Sequence, residues 1–196
     1  LVLVVTPQSG ITSVQDLIAR AKSAPGVLNY GSSGIGSILH LAGESFKHRA
    51  GKLDIAHIPY KSGTLVAQAM LAGDLAVSFA TLPTAVPLVK SGRLKALAVT
   101  SQTRMPTLPE VPTMAEVGMK DFEIQLYSGL LGPPGMSPQL QAQLRSEIIK
   151  ALQSPEIKKM YADIGMDAVT TTPEETKAIL EREIKSLART VESSGA

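Results

Sequence analysis

The residues best suited to chemistry are glycines and serines clustered at 31–37, with a histidine at 40. A short apolar run at 27–30 precedes them, and apolar residues at helical spacing follow from Ser37, so the pattern predicts a strand, a tight loop and a helix start. Glycine lets the backbone approach a ligand, serine supplies hydroxyls, and free N–H groups at a helix start carry partial positive charge. The arrangement suits a small anion, although a flexible connection explains a lone glycine-rich loop equally well.

Known nucleotide and hydrolase motifs do not fit this loop. Its glycines at 31, 34 and 36 differ from the dinucleotide pattern G-x-G-x-x-G, although Asp54 stands near the position of a ribose-binding acid. A P-loop needs a lysine after Gly36, and a hydrolase elbow around Ser33 needs its second glycine one place later. Nucleotide binding is therefore the less favoured interpretation.

Other polar residues leave their roles open. His40 either donates to an anion or braces the loop. His40, Glu44 and His48 lie along one helix face, but a metal would need a further ligand, so we expect Glu44 and His48 to be solvated and no metal to bind. Lys61 is either an anion ligand or a solvated turn residue, and Tyr60 either lines a pocket or packs.

Composition excludes several classes of function. The 196 residues are 44% hydrophobic and 18% charged, which is typical of a globular chain with a packed core. A net charge of +2 and an aromatic content of 4% give no basic stripe and few stacking platforms, so nucleic acid is not an expected partner. The absence of cysteine removes disulfides and thiolate chemistry, and we expect no cofactor. The chain opens on an apolar strand at 1–5 without signal-peptide features, from which we expect a fragment of a longer protein.

Alternating patterns predict an α/β fold with a mainly parallel sheet. Ligands of such sheets gather at the carboxyl ends of strands, and a second helix start after the turn at 59–63 is expected to face the same place. The predicted strands are 1–5, 27–30, 54–58, 75–80, 94–100, 122–131 and 168–170, and the predicted helices include 13–23, 37–50, 83–89, 138–152, 154–164 and 172–191.

Motifs along the whole chain resemble one family. In order they are APG at 24–26, LNY at 28–30, GSSGIGS at 31–37 with His40, IPYK at 58–61, LAGD at 71–74, SGRLKALAVTS at 91–101, LPEVPT at 108–113, EVG at 116–118 and PPG at 133–135. This succession is similar to the Bug family, the extracytoplasmic receptors of tripartite tricarboxylate transporters. The resemblance implies a type II-like periplasmic-binding-protein fold, in which two α/β domains close like a Venus flytrap on a small carboxylate. It also implies a periplasmic location and membrane transporter subunits as partners.

The resemblance also implies a site and a domain plan. Residues 1–6 would be a crossover strand from a first domain, 7–103 the second ligand-binding domain, 104–122 a connector, and 123–196 a return into a first domain whose opening strands are missing. Tyr127 stands where many relatives have tryptophan, which puts an aromatic contact there in doubt. The expected ligand-binding residues are Ser32, Ser33, Gly34, Gly36, Ser37, His40, Tyr60, Lys61 and Phe79.

The leading hypothesis is capture of a small organic carboxylate without chemistry. The alternatives are an α/β enzyme with His40 as acid or base and Ser37 holding the substrate, or a structural fragment without an intact site. A histidine without a carboxylate partner makes a poor catalyst, which favours the receptor. In an incomplete first domain we expect apolar residues 122, 124, 126, 130 and 131 to lack partners, leading to a homodimer through 123–196 or to loose order there.

Overall fold

A computed structural model describes residues 1–194. In this range five strands form one sheet: β1 (Val2–Val5), β2 (Asn29–Ser32), β3 (Ala56–Pro59), β4 (Val77–Ala80) and β5 (Lys95–Val99). Seven α-helices occur in the same range: α1 (Val14–Ser23), α2 (Ile38–Arg49), α3 (Gly63–Ala72), α4 (Leu82–Lys90), α5 (Pro138–Gln153), α6 (Pro155–Asp163) and α7 (Pro173–Ser194). A 3-10 turn at Pro7–Ser9 follows β1.

The sheet has the strand order β3-β2-β4-β1-β5. Strand β2 runs parallel to both β3 and β4, whereas β1 runs antiparallel to β4 and β5. The mainly parallel α/β sheet is thus confirmed, with β1 as the opposed strand. Segment 1–6 therefore supplies an inner strand of the sheet that is otherwise built from 7–103.

Strand β1 is wholly apolar because both of its faces are covered. Leu3 and Val5 pack into a cluster shared with α1 and α2, whereas Val2 and Val4 pack into a second cluster shared with α3 and α4. All four side chains have no exposed surface. A strand buried on both faces reads as a continuous apolar run, and this is what the opening residues show.

The predicted connector at 104–122 packs onto this core. Leu108, Val111 and Met114 are buried, and Thr113 forms a parallel bridge with Val99 at the edge of β5. On the exposed side of the segment, the Arg104 guanidinium donates to Glu116, whose carboxylate also accepts from the Thr113 N–H at 2.7 Å. Hydrogen bonds within the segment therefore stabilise its turns.

The return segment differs from the prediction. The predicted strands at 122–131 and 168–170 are wrong: none of the described residues after Val99 belongs to a named strand. A strand needs a neighbouring edge for its hydrogen bonds, and no described strand offers one there. Phe122 and Ile124 do find partners in the core, at 5% and 4% exposure, whereas Leu130 and Leu131 are 80% and 86% exposed.

Helices α5 and α6 bury no side chain fully. Helix α7 lies against α2. The core clusters of the described chain are therefore built from residues up to Ile124, and among the C-terminal helices α7 packs against α2.

Candidate functional site

Three helices begin at one edge of the sheet. Because β2, β3 and β4 are parallel, their carboxyl ends meet there, and each leads into a helix. Ser37 caps α2 by accepting from the His40 N–H, and Ser62 caps α3 by accepting from the Leu65 N–H. Thr81 precedes α4, and its hydroxyl is paired with that of Thr84 at 3.1 Å. The expected second helix start is present at this edge, and a third accompanies it.

We call the space outside the carboxyl ends of the neighbouring parallel strands β2 and β4 the crevice. After β2 the chain enters α2, whose Phe46 packs in the cluster with α1; after β4 it enters α4, whose Val86 packs in the opposite cluster. The two connections therefore leave the sheet on opposite faces. In open α/β sheets ligands bind outside the carboxyl ends of the strands at this kind of switch point.

The serine–glycine loop, residues 32–37, forms one wall of the crevice. Gly34 and Gly36 adopt φ values of +119° and +76°, which L side chains rarely adopt, so glycine is required at both positions. The Ser37 N–H donates to the Gly34 carbonyl at 3.2 Å and closes the turn before α2.

The serines of the loop have different environments. Ser32 is fully buried, and its hydroxyl lies 2.7 Å from His57 Nε2 while accepting from the Gly34 N–H at 3.1 Å. Ser33 and Ser37 are half-buried. Ser32 therefore shapes the loop, and the hydroxyls near enough to the surface for a ligand belong to Ser33 and Ser37.

His40 braces the loop in this structure. It is 3% exposed, and its Nδ1 accepts a hydrogen bond from the Gly36 N–H at 3.2 Å. Of the two roles considered for this residue, the geometry shows the bracing contact. An imidazole that accepts at Nδ1 is neutral.

Aromatic rings and charges underlie the loop. The His40 and His57 ring centroids are 4.2 Å apart, and His57 stacks on Tyr30 at 4.9 Å. The Tyr30 hydroxyl and the Lys47 ammonium both donate to Glu44 Oε1 at 2.7 Å. Burial lowers the pKa of His57 to about 4 and also lowers the pKa of His40, so both rings are neutral at pH 7.

The remaining predicted site residues, Tyr60, Lys61 and Phe79, lie in three different environments. Tyr60 is half-buried beside the loop and donates its N–H to the Ser32 carbonyl at 2.9 Å, and its ring packs on the cluster of α3 and α4. Lys61 is exposed. Phe79 is a core residue: it is 2% exposed and stacks on Phe122, because its position in β4 points the ring toward the α1 and α2 face. The prediction that Phe79 binds the ligand is therefore corrected: its ring belongs to the core.

His57 was not among the predicted site residues. Register provides the signal that could have found it: in the parallel pair of β2 and β3, His57 lies opposite Tyr30, directly before the serine–glycine loop. A predicted pairing of the strands at 27–30 and 54–58 would have placed the two rings side by side.

Enclosed space at this edge is small. A cavity of about 10 Å³ lies among Leu39, Gly63, Thr81 and Thr84, which is close to the least volume that holds one water molecule. This cavity is too small for a ligand of several carbon atoms.

Two kinds of feature are absent from residues 1–194: a cluster of metal ligands and a membrane-spanning helix. No group of three or more histidine or acidic side chains in this range is arranged to hold a metal ion. None of the described helices combines the length and apolarity needed to cross a bilayer.

The fold and the crevice define the class: an α/β domain of the periplasmic-binding-protein type. Residues 1–195 match the profile of the tripartite tricarboxylate transporter family receptor, and the chain belongs to this family. BugT of Bordetella pertussis is 34% identical over 196 residues, which are all of this chain and 60% of BugT. The resemblance to the Bug family is thereby confirmed.

Solved structures agree on the fold. Rpa4515 of R. palustris, solved with adipate, has a TM-score of 0.92 and 30% identity over 99% of this chain and 64% of its own. The periplasmic binding protein BugD has a TM-score of 0.90 and 24% identity, which supports the fold alone. The chain thus spans about 60% of the length of BugT and 64% of that of Rpa4515.

Proposed function

We propose that this chain is the ligand-binding part of a periplasmic solute receptor, which captures a small organic carboxylate for the membrane subunits of a tripartite tricarboxylate-type transporter. The observation that carries the proposal is the serine–glycine loop at the switch point of the sheet, in a chain that belongs to a receptor family. A structure 30% identical to this chain was solved with adipate, a dicarboxylate, which supports the same class of ligand here.

The proposed contacts come from backbone and hydroxyl groups. The first N–H groups of α2 carry partial positive charge, and the half-buried Ser37 lies beside them as the cap of the helix. Ser33, also half-buried, precedes it in the same loop. Gly34 and Gly36 give the loop its shape. The exposed ammonium of Lys61, at the neighbouring turn, adds positive charge to the approach of an anion.

The two-domain closure expected from the resemblance is part of the proposal. Residues 7–103, with β1 inserted, would form the domain that carries the loop, and 104–122, which packs onto that domain, would connect it to the other one. Helices α5 to α7 would belong to the opposing domain. Because the cavity at the edge is too small for the ligand, a second surface must close over the crevice to exclude water.

The geometry of His40 disfavours the alternative that the chain is an enzyme. An acid or base at His40 would have to reach substrate, yet the ring is 3% exposed and its Nδ1 is taken by the Gly36 N–H. We propose binding without chemistry.

Self-association through 123–196 is also proposed. Leu126, Leu130 and Leu131 are exposed on a segment without strand partners, and Leu140 and Leu144 of α5 are 44% exposed. A contiguous exposed apolar patch favours association with another chain, and we propose that these leucines form such a patch.

A thermal-shift panel tests the receptor function. Mono- and dicarboxylates of two to six carbons are added to the full-length protein, and the best ligand is titrated by calorimetry. A ligand at one hundred times its Kd stabilises the folded state by about 2.7 kcal/mol, which raises the Tm by about 5–10 °C. A panel in which no carboxylate raises the Tm contradicts the proposal.

The variant Ser37→Ala locates the site. It removes a helix cap as well as a ligand hydroxyl, so the matched control is Ser13→Ala, which removes the equivalent cap of α1. Strand β1 is antiparallel to β4, and β2 is parallel to β4, so β1 and β2 point in opposite directions. Helix α1, which follows β1, therefore begins at the opposite edge of the sheet. Equal effects of the two variants on carboxylate affinity would place the site elsewhere.

A further inference from the structure

We infer that His57 and His40 are positioning residues, which hold the two ends of the serine–glycine loop in the shape that the ligand needs. The inference deepens the proposed function and rests on it. Neither ring is assigned a contact with the ligand.

His57 holds the start of the loop. Its Nε2 lies 2.7 Å from the buried Ser32 hydroxyl, and that hydroxyl accepts from the Gly34 N–H at 3.1 Å. The first three loop residues are thus tied to the neighbouring strand β3. Since Gly34 has the left-handed φ of +119°, the contact fixes the backbone where it departs most from regular structure.

His40 holds the end of the loop. Its Nδ1 accepts from the Gly36 N–H, where φ is +76°, just before the cap of α2. The ring centroids of His40 and His57 are 4.2 Å apart, so the pair joins the two braces into one unit. Tyr30 also stacks on His57, with the ring centroids 4.9 Å apart.

This brace matters for affinity because ordering a loop opposes binding. A loop already held in its bound shape loses less conformational freedom when the ligand arrives. Loss of the brace should therefore weaken carboxylate binding and speed exchange of the Gly34 and Gly36 amides, even without ligand.

Protonation should release the brace at the His40 end. A proton on Nδ1 removes the acceptor of the Gly36 N–H, and two imidazolium rings at this distance repel. The groups facing the pair are Tyr30 from β2 with Glu44 and Lys47 from α2, and burial outweighs Glu44 in keeping both pKa values low. If the histidines instead attracted the ligand directly, acidification would strengthen binding.

The test uses the full-length protein, with adipate as the calorimetric probe and hydrogen exchange as a ligand-free readout. His57→Phe keeps the ring stack but loses the bond to Ser32, and we expect about a tenfold loss of affinity and faster exchange at Gly34. His57→Gln, which restores a polar group near Nε2, should stay within about threefold of the wild type. His48→Gln is the control, because His48 is an exposed histidine of α2, the helix that also carries His40, and this variant should change nothing.

A double-mutant cycle separates positioning from a general structural effect. In a Ser32→Ala background, His57→Phe should cost little further affinity, because the hydroxyl it positions is gone. Additive losses, unchanged exchange in His57→Phe, or wild-type affinity that rises between pH 6.5 and 4 would each overturn the inference. If the wild type fails to bind adipate while exchange responds as expected, the choice of ligand fails and the brace stands.

Discussion

Gly43, in the middle of α2, is the position where a single methyl group should disturb both the core and the ligand loop. A Cβ there would lie 2.6 Å from Cζ and 2.9 Å from Cδ2 of Tyr30, closer than real Cβ contacts allow. The ring cannot retreat freely, because it stacks on His57 and its hydroxyl donates to Glu44.

The expected magnitude of Gly43→Ala follows from three opposing terms. Overpacking costs about 1–3 kcal/mol, and displacement of the ring costs about 1 kcal/mol of the hydrogen bond to Glu44. Alanine favours a helix interior over glycine by about 1 kcal/mol. We therefore expect a net loss of about 1–3 kcal/mol in the free energy of unfolding, which lowers the Tm by about 3–10 °C.

Thermal and urea unfolding of the full-length protein measure this change. Gly63→Ala is the control, because a Cβ there would meet only Leu39 at an ordinary 3.7 Å. In a Tyr30→Leu background most of the loss should disappear, since the ring that clashes is absent. A Gly43→Ala variant that is more stable than the wild type, or equally destabilised in both backgrounds, would refute the reasoning.

Three further predictions concern acid, assembly and metal. His57 has a pKa of about 4 in the folded chain against an ordinary 6.5. The neutral ring therefore contributes its full stability above pH 6.5, and this contribution is lost as the pH falls toward 4. After allowance for solvent screening, we expect the free energy of unfolding in urea to fall by about 1–2 kcal/mol over this range, and by less in His57→Gln. Replacing Leu130 and Leu131 together by glutamine should lower the molar mass that light scattering measures for the 196-residue chain toward that of the monomer. If the molar mass does not change, these two leucines do not form the interface. Zinc calorimetry should find no tight stoichiometric site; one that is lost in His48→Ala would contradict this.

Local features of the site were predictable from neighbouring residues. The strand, loop and helix start around 31–37 depend on glycine conformations and on the Ser37 cap, whose partners lie within a few positions in the chain. The cap of α1 by Ser13 was predictable for the same reason. Alternating strands and helices also indicated the α/β class, because the periodicity of side chains is a local property.

Tertiary structure decided what depends on distant partners. The direction of β1, and its place between β4 and β5, cannot be read from an apolar run, because such a run suits any inner strand. The pattern at 122–131 suited a strand, yet no described edge pairs with it, and Phe122 instead packs on Phe79. That contact also makes Phe79 a core residue.

The roles of the histidines show the same division within the site. Helical spacing placed His40 one turn into α2, next to the loop, but left its role open. The parallel register of β2 and β3 brings His57 within 2.7 Å of the Ser32 hydroxyl across 25 positions of sequence. Residue types by themselves determined that the loop could suit an anion, whereas packing between a strand and a helix decided which side chains hold it in shape, because hydrogen bonds depend on distances in space that sequence spacing does not contain.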